Sequence, residues 1–106
     1  MLLAIDIGNT NIKYAVFKGE TLKASYRVSS SHFKTADEYG ATLINLLASS
    51  NISTKDISGI IISSVIPSLN YTMSHMCEYF FNITPLMIGA GIKTGLNIKA
   101  ENPREV

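Results

Sequence analysis

An aspartate closes the first apolar run of the chain, and a small polar turn follows it: Asp6-Ile7-Gly8-Asn9-Thr10, with Lys13 three residues on. Gly8 has no Cβ, so an anion can approach the backbone closely there. The turn amides and the side chains of Asn9 and Thr10 are donors for phosphate oxygens. Asp6 can hold Mg²⁺, directly or through water, because Mg²⁺ favours a carboxylate combined with phosphate oxygens. Lys13 adds a positive charge beside such a ligand. A plainer account fits the same residues. It is a Gly-Asn hairpin turn, with both residue types tolerating positive φ and Asp6 capping a turn amide. The bare pattern D-x-G-x-T is weak by itself. Its position strengthens it, since an acid at the end of a buried strand needs a partner.

Those residues must be held by the elements around them. Residues 2–7 predict a strand buried on both faces. Ile12, Tyr14 and Val16 alternate with Lys13, Ala15 and Phe17, which predicts a second strand over 12–18. Lys18-Gly19-Glu20 is a turn, and 21–28 a third strand, so the chain opens as an antiparallel meander. After the loop 29–34, Thr35 and Glu38 have capping-box spacing. The helix they start carries Tyr39, Leu43, Leu46 and Leu47 on one face and fades at Ser49-Ser50-Asn51. Residues 59–66 predict a mostly apolar strand. Pro67-Ser68 starts a second helix with Leu69, Met73, Met76, Cys77 and Phe80 as its buried stripe. Residues 83–88 predict a further strand, with Pro85 favouring its start or an edge, and 96–99 a short last one. The order β-β-β-α-β-α-β implies an α/β fold, a mixed sheet with helices on its faces. The ribonuclease-H-like fold has this order, as does each half of the superfamily that joins sugar and acetate kinases, heat-shock chaperones and actin.

Composition narrows the classes. The chain has 106 residues, 46% of them hydrophobic and 16% charged, enough apolar material for one buried core. Lys plus Arg number 9 and Asp plus Glu 8, leaving a net charge of +1. That balance argues against nucleic acid or a membrane surface as partner. No apolar run is long enough to span a bilayer. The N-terminal run is short, lacks a basic flank and meets Asp6, unlike a signal peptide. The single cysteine, Cys77, lies in an apolar helical pattern and reads as a buried core thiol. A cytoplasmic protein is the expectation.

Several other residues have plain readings. The stretch GAGIKTG at 89–95 imitates a P-loop, but Ile92, not glycine, precedes Lys93, and a strand is expected to follow. His32 and His75 read as surface residues, and Ser63, Ser64 and Ser68 as strand-end or capping residues. Tyr71 and Tyr79 fit amphipathic packing along the flank of the second helix. Arg27 either pairs with an acid or faces solvent.

Four blocks, in order along nearly the whole chain, resemble the N-terminal part of the type III pantothenate kinases. They are DIGNTNIK at 6–13, TADEY at 35–39, IISSVIPSL at 61–69 and GIKTGLNIKAENPREV at 91–106. The first block alone resembles the wider superfamily; the later ones select this family. The resemblance implies transfer of the ATP γ-phosphate to the hydroxyl of pantothenate, the first step of coenzyme A synthesis. It implies Mg²⁺, a monovalent cation (K⁺ or NH₄⁺) and a homodimer. Asp6, Gly8, Asn9, Thr10 and Lys13 match the family's phosphate-binding loop, and Asp6 is the expected metal contact. Asn102 and Pro103 match the lead-in to its pantothenate site, and 64–67 match a segment lining the cleft.

In the family, the segment like NPREV is followed at once by Gly-Ala-Asp-Arg, whose Asp is the base and whose Arg binds pantothenate. This chain ends at Val106, so no catalytic base is expected within it. Residues 1–106 are expected to form an N-terminal ATP-phosphate-binding domain, with the second domain absent. A nuclease of the same fold would gather several carboxylates around two metals; the strand over 59–66 ends Ser-Ser-Val-Ile instead. A non-catalytic nucleotide-binding regulator is the other function class this pattern admits. Phosphoryl transfer depends on positioning and charge stabilisation, and half a cleft supplies little of either. The 106-residue chain by itself is therefore expected to show no pantothenate-dependent ADP release. Detectable turnover in a coupled assay would overturn that expectation.

Overall fold

The apolar run at the N-terminus becomes the middle of the sheet. In a computed structural model that describes residues 1–89, β1 (Leu2–Ile7) has both edges paired. Strand β2 (Asn11–Lys18) runs antiparallel to it on one side, and β4 (Gly59–Ser64) parallel on the other. Strand β3 (Thr21–Ser29) extends the meander outward, and β5 (Leu86–Ile88) forms the far edge. The order is β3-β2-β1-β4-β5. Helix α1 (Ala36–Ser49) joins β3 to β4, and α2 (Pro67–Phe81) joins β4 to β5. This is the expected mixed sheet with its β-β-β-α-β-α-β order. A 3-10 turn over Thr54–Asp56, not anticipated, precedes β4.

Alternation along the strands sets the core. Leu3, Ile5 and Ile7 of β1, Ile12, Tyr14 and Val16 of β2, and Ile60 and Ile62 of β4 form one buried cluster with both helices. From α1 come Tyr39, Leu43 and Leu47; from α2 come Leu69, Met73, Met76, Cys77 and Phe81. Both described helices therefore pack on the same face of the sheet. This corrects the reading of β1 as buried on both faces: Leu2, Ala4 and Asp6, on the opposite face, are only half-buried.

Local chemistry explains most element ends. The capping box at α1 is formed: Thr35 Oγ1 accepts from Glu38 N at 3.1 Å, and Glu38 Oε1 accepts from Thr35 N at 2.8 Å. Strand β4 stops two residues earlier than expected. Ser64 Oγ accepts the Ile66 amide at 3.0 Å and turns the chain toward α2, leaving Val65 48% exposed. Strand β5 is shorter than 83–88. Asn82 takes a left-handed φ of 58° to end α2, and Pro85 lacks the amide a ladder needs. Leu46 and Phe80, expected in the buried stripes, are half-buried, and Phe81 takes the core position at 7% exposure. The expected strand over 96–99, most of the 89–95 stretch, and Asn102 and Pro103 lie outside the described residues. Among the described residues, no helix is long and apolar enough to cross a membrane.

The two helices meet at Gly40. A Cβ there would stand 2.3 Å from ring carbons of Phe80, far inside contact distance. Glycine inside a helix is otherwise unfavourable by about 1 kcal/mol, so close approach accounts for it. Gly40→Ala is expected to lower stability by about 1 kcal/mol, overpacking outweighing the gain in helix propensity. In a Phe80→Ala background the same change is expected to raise stability, so paired urea melts read a reversal of sign.

Burial also makes stability depend on alkaline pH. The Cys77 thiol, fully buried, is pushed from an ordinary 9.0 up to about 12, first by burial and then by neighbouring Glu78. Burial, with smaller contributions from Tyr39 and Cys77, raises Tyr14 as well. The folded chain keeps these protons at pH values where the unfolded chain releases them. The native state then binds more protons, and stability falls as pH rises. Urea melts are expected to show stability holding up to about pH 9 and declining toward pH 12, less steeply in Cys77→Ala.

Candidate functional site

The sheet register assembles one polar row. Asp6 of β1 stands opposite Lys13 of β2 and beside Ser63 of β4, and Lys13 in turn stands opposite Arg27 of β3. Since Ile5 and Ile7 point into the core, alternation puts this row on the sheet face away from the helices. Asp6 and Lys13 are half-buried and Ser63 is buried. Asp6, Lys13 and Arg27 each make further polar or electrostatic contacts. Cross-strand neighbours stand about 5 Å apart at Cβ, so an acid and a cation at that spacing compensate each other in partial burial.

The row leads into the turn between β1 and β2. Gly8 N donates to Asn11 O at 2.9 Å, closing the turn. Ser30, just past β3, holds it from outside: its Oγ donates to Gly8 O at 2.6 Å, and its amide donates to Thr10 O at 2.9 Å. The plainer turn account gives positive φ as the reason for Gly8 and Asn9. Among the described residues, however, positive φ occurs at Gly19, Asn51 and Asn82, none of them in this turn. Gly8 is there for space, since a Cβ would sit 3.1 Å from Asn11 O. Asn9 and Thr10 are exposed, and among the described residues their amides donate to no backbone carbonyl.

Three other segments converge on this end of the sheet. Val65 N donates to Ile7 O at 3.0 Å, which sets 64–67 beside the turn. Pro67 opens α2 there, at the carboxyl ends of the parallel pair β1 and β4. Sheets of this kind bind ligands at that end. His32 is exposed, as expected, but its Nδ1 lies 3.0 Å from Ser68 Oγ at the start of α2. The Tyr39 hydroxyl donates to Ser31 O at 2.7 Å and accepts from Ser31 N at 2.9 Å.

The structure thus brings Asp6, Gly8, Asn9, Thr10 and Lys13 into one strand–turn–strand unit. Ser30, Tyr39 and the His32–Ser68 contact were not anticipated. Ser30 was findable in principle, because the meander register pairs Ser29 with Asn11 and so sets the next residue against Thr10. The exposed donors and the nearby cation suit an anion. Among the described residues, no group of three or more His, Cys, Asp and Glu side chains could hold a metal ion. A cation at Asp6 would take its remaining ligands from water or from the bound molecule, as Mg²⁺ does with phosphates. Elsewhere, Tyr71 and Tyr79, expected along the flank of the second helix, lie on its outer side. They are 79% and 70% exposed and stack on His75 at 6.0 and 6.2 Å.

The fold has solved counterparts. A ROK hexokinase from Thermus thermophilus superposes with a TM-score of 0.63 at 12% identity, covering 83% of this chain and 34% of that one. At such identity the likeness shows the fold, the N-terminal half of the ROK and actin-like kinase architecture. Sequence goes further. A type III pantothenate kinase from Listeria innocua is 47% identical over 106 residues, 100% of this chain and 41% of the relative. One from Listeria monocytogenes is 46% identical over the same span. The chain thus covers 41% of the length of these curated relatives. A family model described as type III pantothenate kinase matches residues 2–106, from the first strand through the Asp6–Lys13 hairpin to the last residue. On that match, the chain belongs to the type III pantothenate kinase family.

Proposed function

We propose that residues 1–106 form the ATP-phosphate-binding domain of a kinase that phosphorylates pantothenate. The observation that carries this reading is the placement of Asp6, the Gly8–Thr10 turn and Lys13 in one unit at the carboxyl ends of β1 and β4. In this reading the Asn9 and Thr10 amides and side chains receive the β- and γ-phosphate oxygens, and Lys13 offsets their charge. Gly8 leaves room for them. Asp6 would hold Mg²⁺, and the ion would supply charge neutralisation to the transferring phosphoryl group.

The hydroxyl oxygen of pantothenate attacks the γ-phosphorus, and the bond to the β–γ bridging oxygen breaks to release ADP. Asn102 and Pro103 match the lead-in to the family's pantothenate site and are assigned to that site on this resemblance. The base and the pantothenate-binding arginine are those of the Gly-Ala-Asp-Arg segment that follows NPREV in the family. A monovalent cation (K⁺ or NH₄⁺), a homodimer and a cytoplasmic location complete the proposal, with no nucleic acid or membrane as partner.

The test is pantothenate-dependent ADP release with Mg²⁺ and K⁺ or NH₄⁺. It compares this chain with a version extended through its reading frame, each as wild type and Asp6→Asn. The extended wild type is expected to turn over, with Asp6→Asn lowering kcat by on the order of 100-fold or more. If the extended wild type binds ATP without turnover, the regulator reading replaces the kinase one.

A further inference from the structure

We infer that Ser30 is the positioning residue that aims the backbone donors of the Gly8–Thr10 turn at a bound polyphosphate. The inference rests on the phosphate reading above. A peptide unit is planar and trans, so its carbonyl and its N–H point in opposite directions as one rigid group. The Gly8 carbonyl belongs to the same peptide unit as the Asn9 amide, and the Thr10 carbonyl to the same unit as the Asn11 amide. Ser30 Oγ holds the first carbonyl at 2.6 Å, and Ser30 N holds the second at 2.9 Å. Fixing Gly8 O therefore fixes the direction of the exposed Asn9 N–H. A carbonyl that accepts a hydrogen bond also polarises its peptide unit and makes the opposite N–H a stronger donor.

Ser30 is itself braced. Ser29 is in register with Asn11, and both backbone groups of Ser31 are held by the hydroxyl of Tyr39, a core residue at 1% exposure. His32 then meets Ser68 at 3.0 Å. The segment Ser29–His32 runs as a strap from the sheet to both helices, with the Ser30 hydroxyl directed at the turn. A free hydroxyl facing solvent would need none of this bracing.

The test follows the backbone amides of the chain by NMR while inorganic tripolyphosphate is added with Mg²⁺. In the wild type, the Asn9 and Thr10 amides are expected to shift, and the Ser30 amide to exchange more slowly with solvent once the anion is bound. Ser30→Ala is expected to weaken binding about fivefold or more, the worth of one hydrogen bond. Ser30→Thr, which keeps the hydroxyl, is expected to restore affinity, and Ser58→Ala at the opposite end of β1 to leave it unchanged. A merely structural serine would lower the melting temperature without this pattern of loss and rescue. Wild-type binding with equal affinity in Ser30→Ala overturns the inference alone. If Ser30→Ala does not fold, unchanged exchange at the wild-type Ser30 amide overturns it. If the wild type shows no shift at Asn9 or Thr10, the phosphate reading fails and takes the inference with it.

Discussion

Everything at the site depends on the register of one strand. β1 is paired on both sides, and its odd-numbered residues Leu3, Ile5 and Ile7 are held under the two helices. A slip of one residue would carry Asp6 into that core and bring Leu2 and Ala4 with it. Burying an unpaired carboxylate costs several kcal/mol, so the apolar residues fix the position of the acid as firmly as any contact it makes itself. The same alternation then puts Lys13, Arg27 and Ser63 in its row without further instruction.

Most of the fold could be read from local patterns. The alternation in 12–18, the capping box at Thr35 and Glu38, and the apolar spacing of α1 and α2 each have a short-range cause, and each was found. What could not be read depended on distant partners. That β1 would be half-open on one face is decided by where both helices pack. Phe81, four residues past Cys77, enters the core, while Phe80 lies half-buried against Gly40 of α1. Gly40 looks like a helix-weakening residue until Phe80 is seen against it.

The site divides in the same way. Asp6, Gly8, Asn9, Thr10 and Lys13 lie within eight residues, so their residue types and order were visible. The closeness of Gly8 to Asn11 O was not, since the sequence offers an approaching anion or positive φ as reasons for the glycine and does not show the carbonyl across the turn. The part of Ser30 was open only to a reading of the meander register, since its two bonds reach back across two strands to Gly8 and Thr10.

The meander has a consequence for how the molecule comes apart. The bonds holding the Gly8–Thr10 turn join residues no more than 22 apart, whereas Met1 and Ser58, beside the β1–β4 pairing, are separated by 57. By the logarithmic cost of closing a loop, that difference is worth less than about 1 kcal/mol, so length alone does not separate the two. Connectivity does. A partial opening that released β4, α2 and β5 would break the Val65–Ile7 bond and the His32–Ser68 contact and leave only α1 as helix cover for β1. It would break none of the three bonds from Gly8 N, Ser30 Oγ and Ser30 N. The three bonds of the turn thus belong to the hairpin half of the molecule, and the half that crosses over reaches them only through the brace on Ser30.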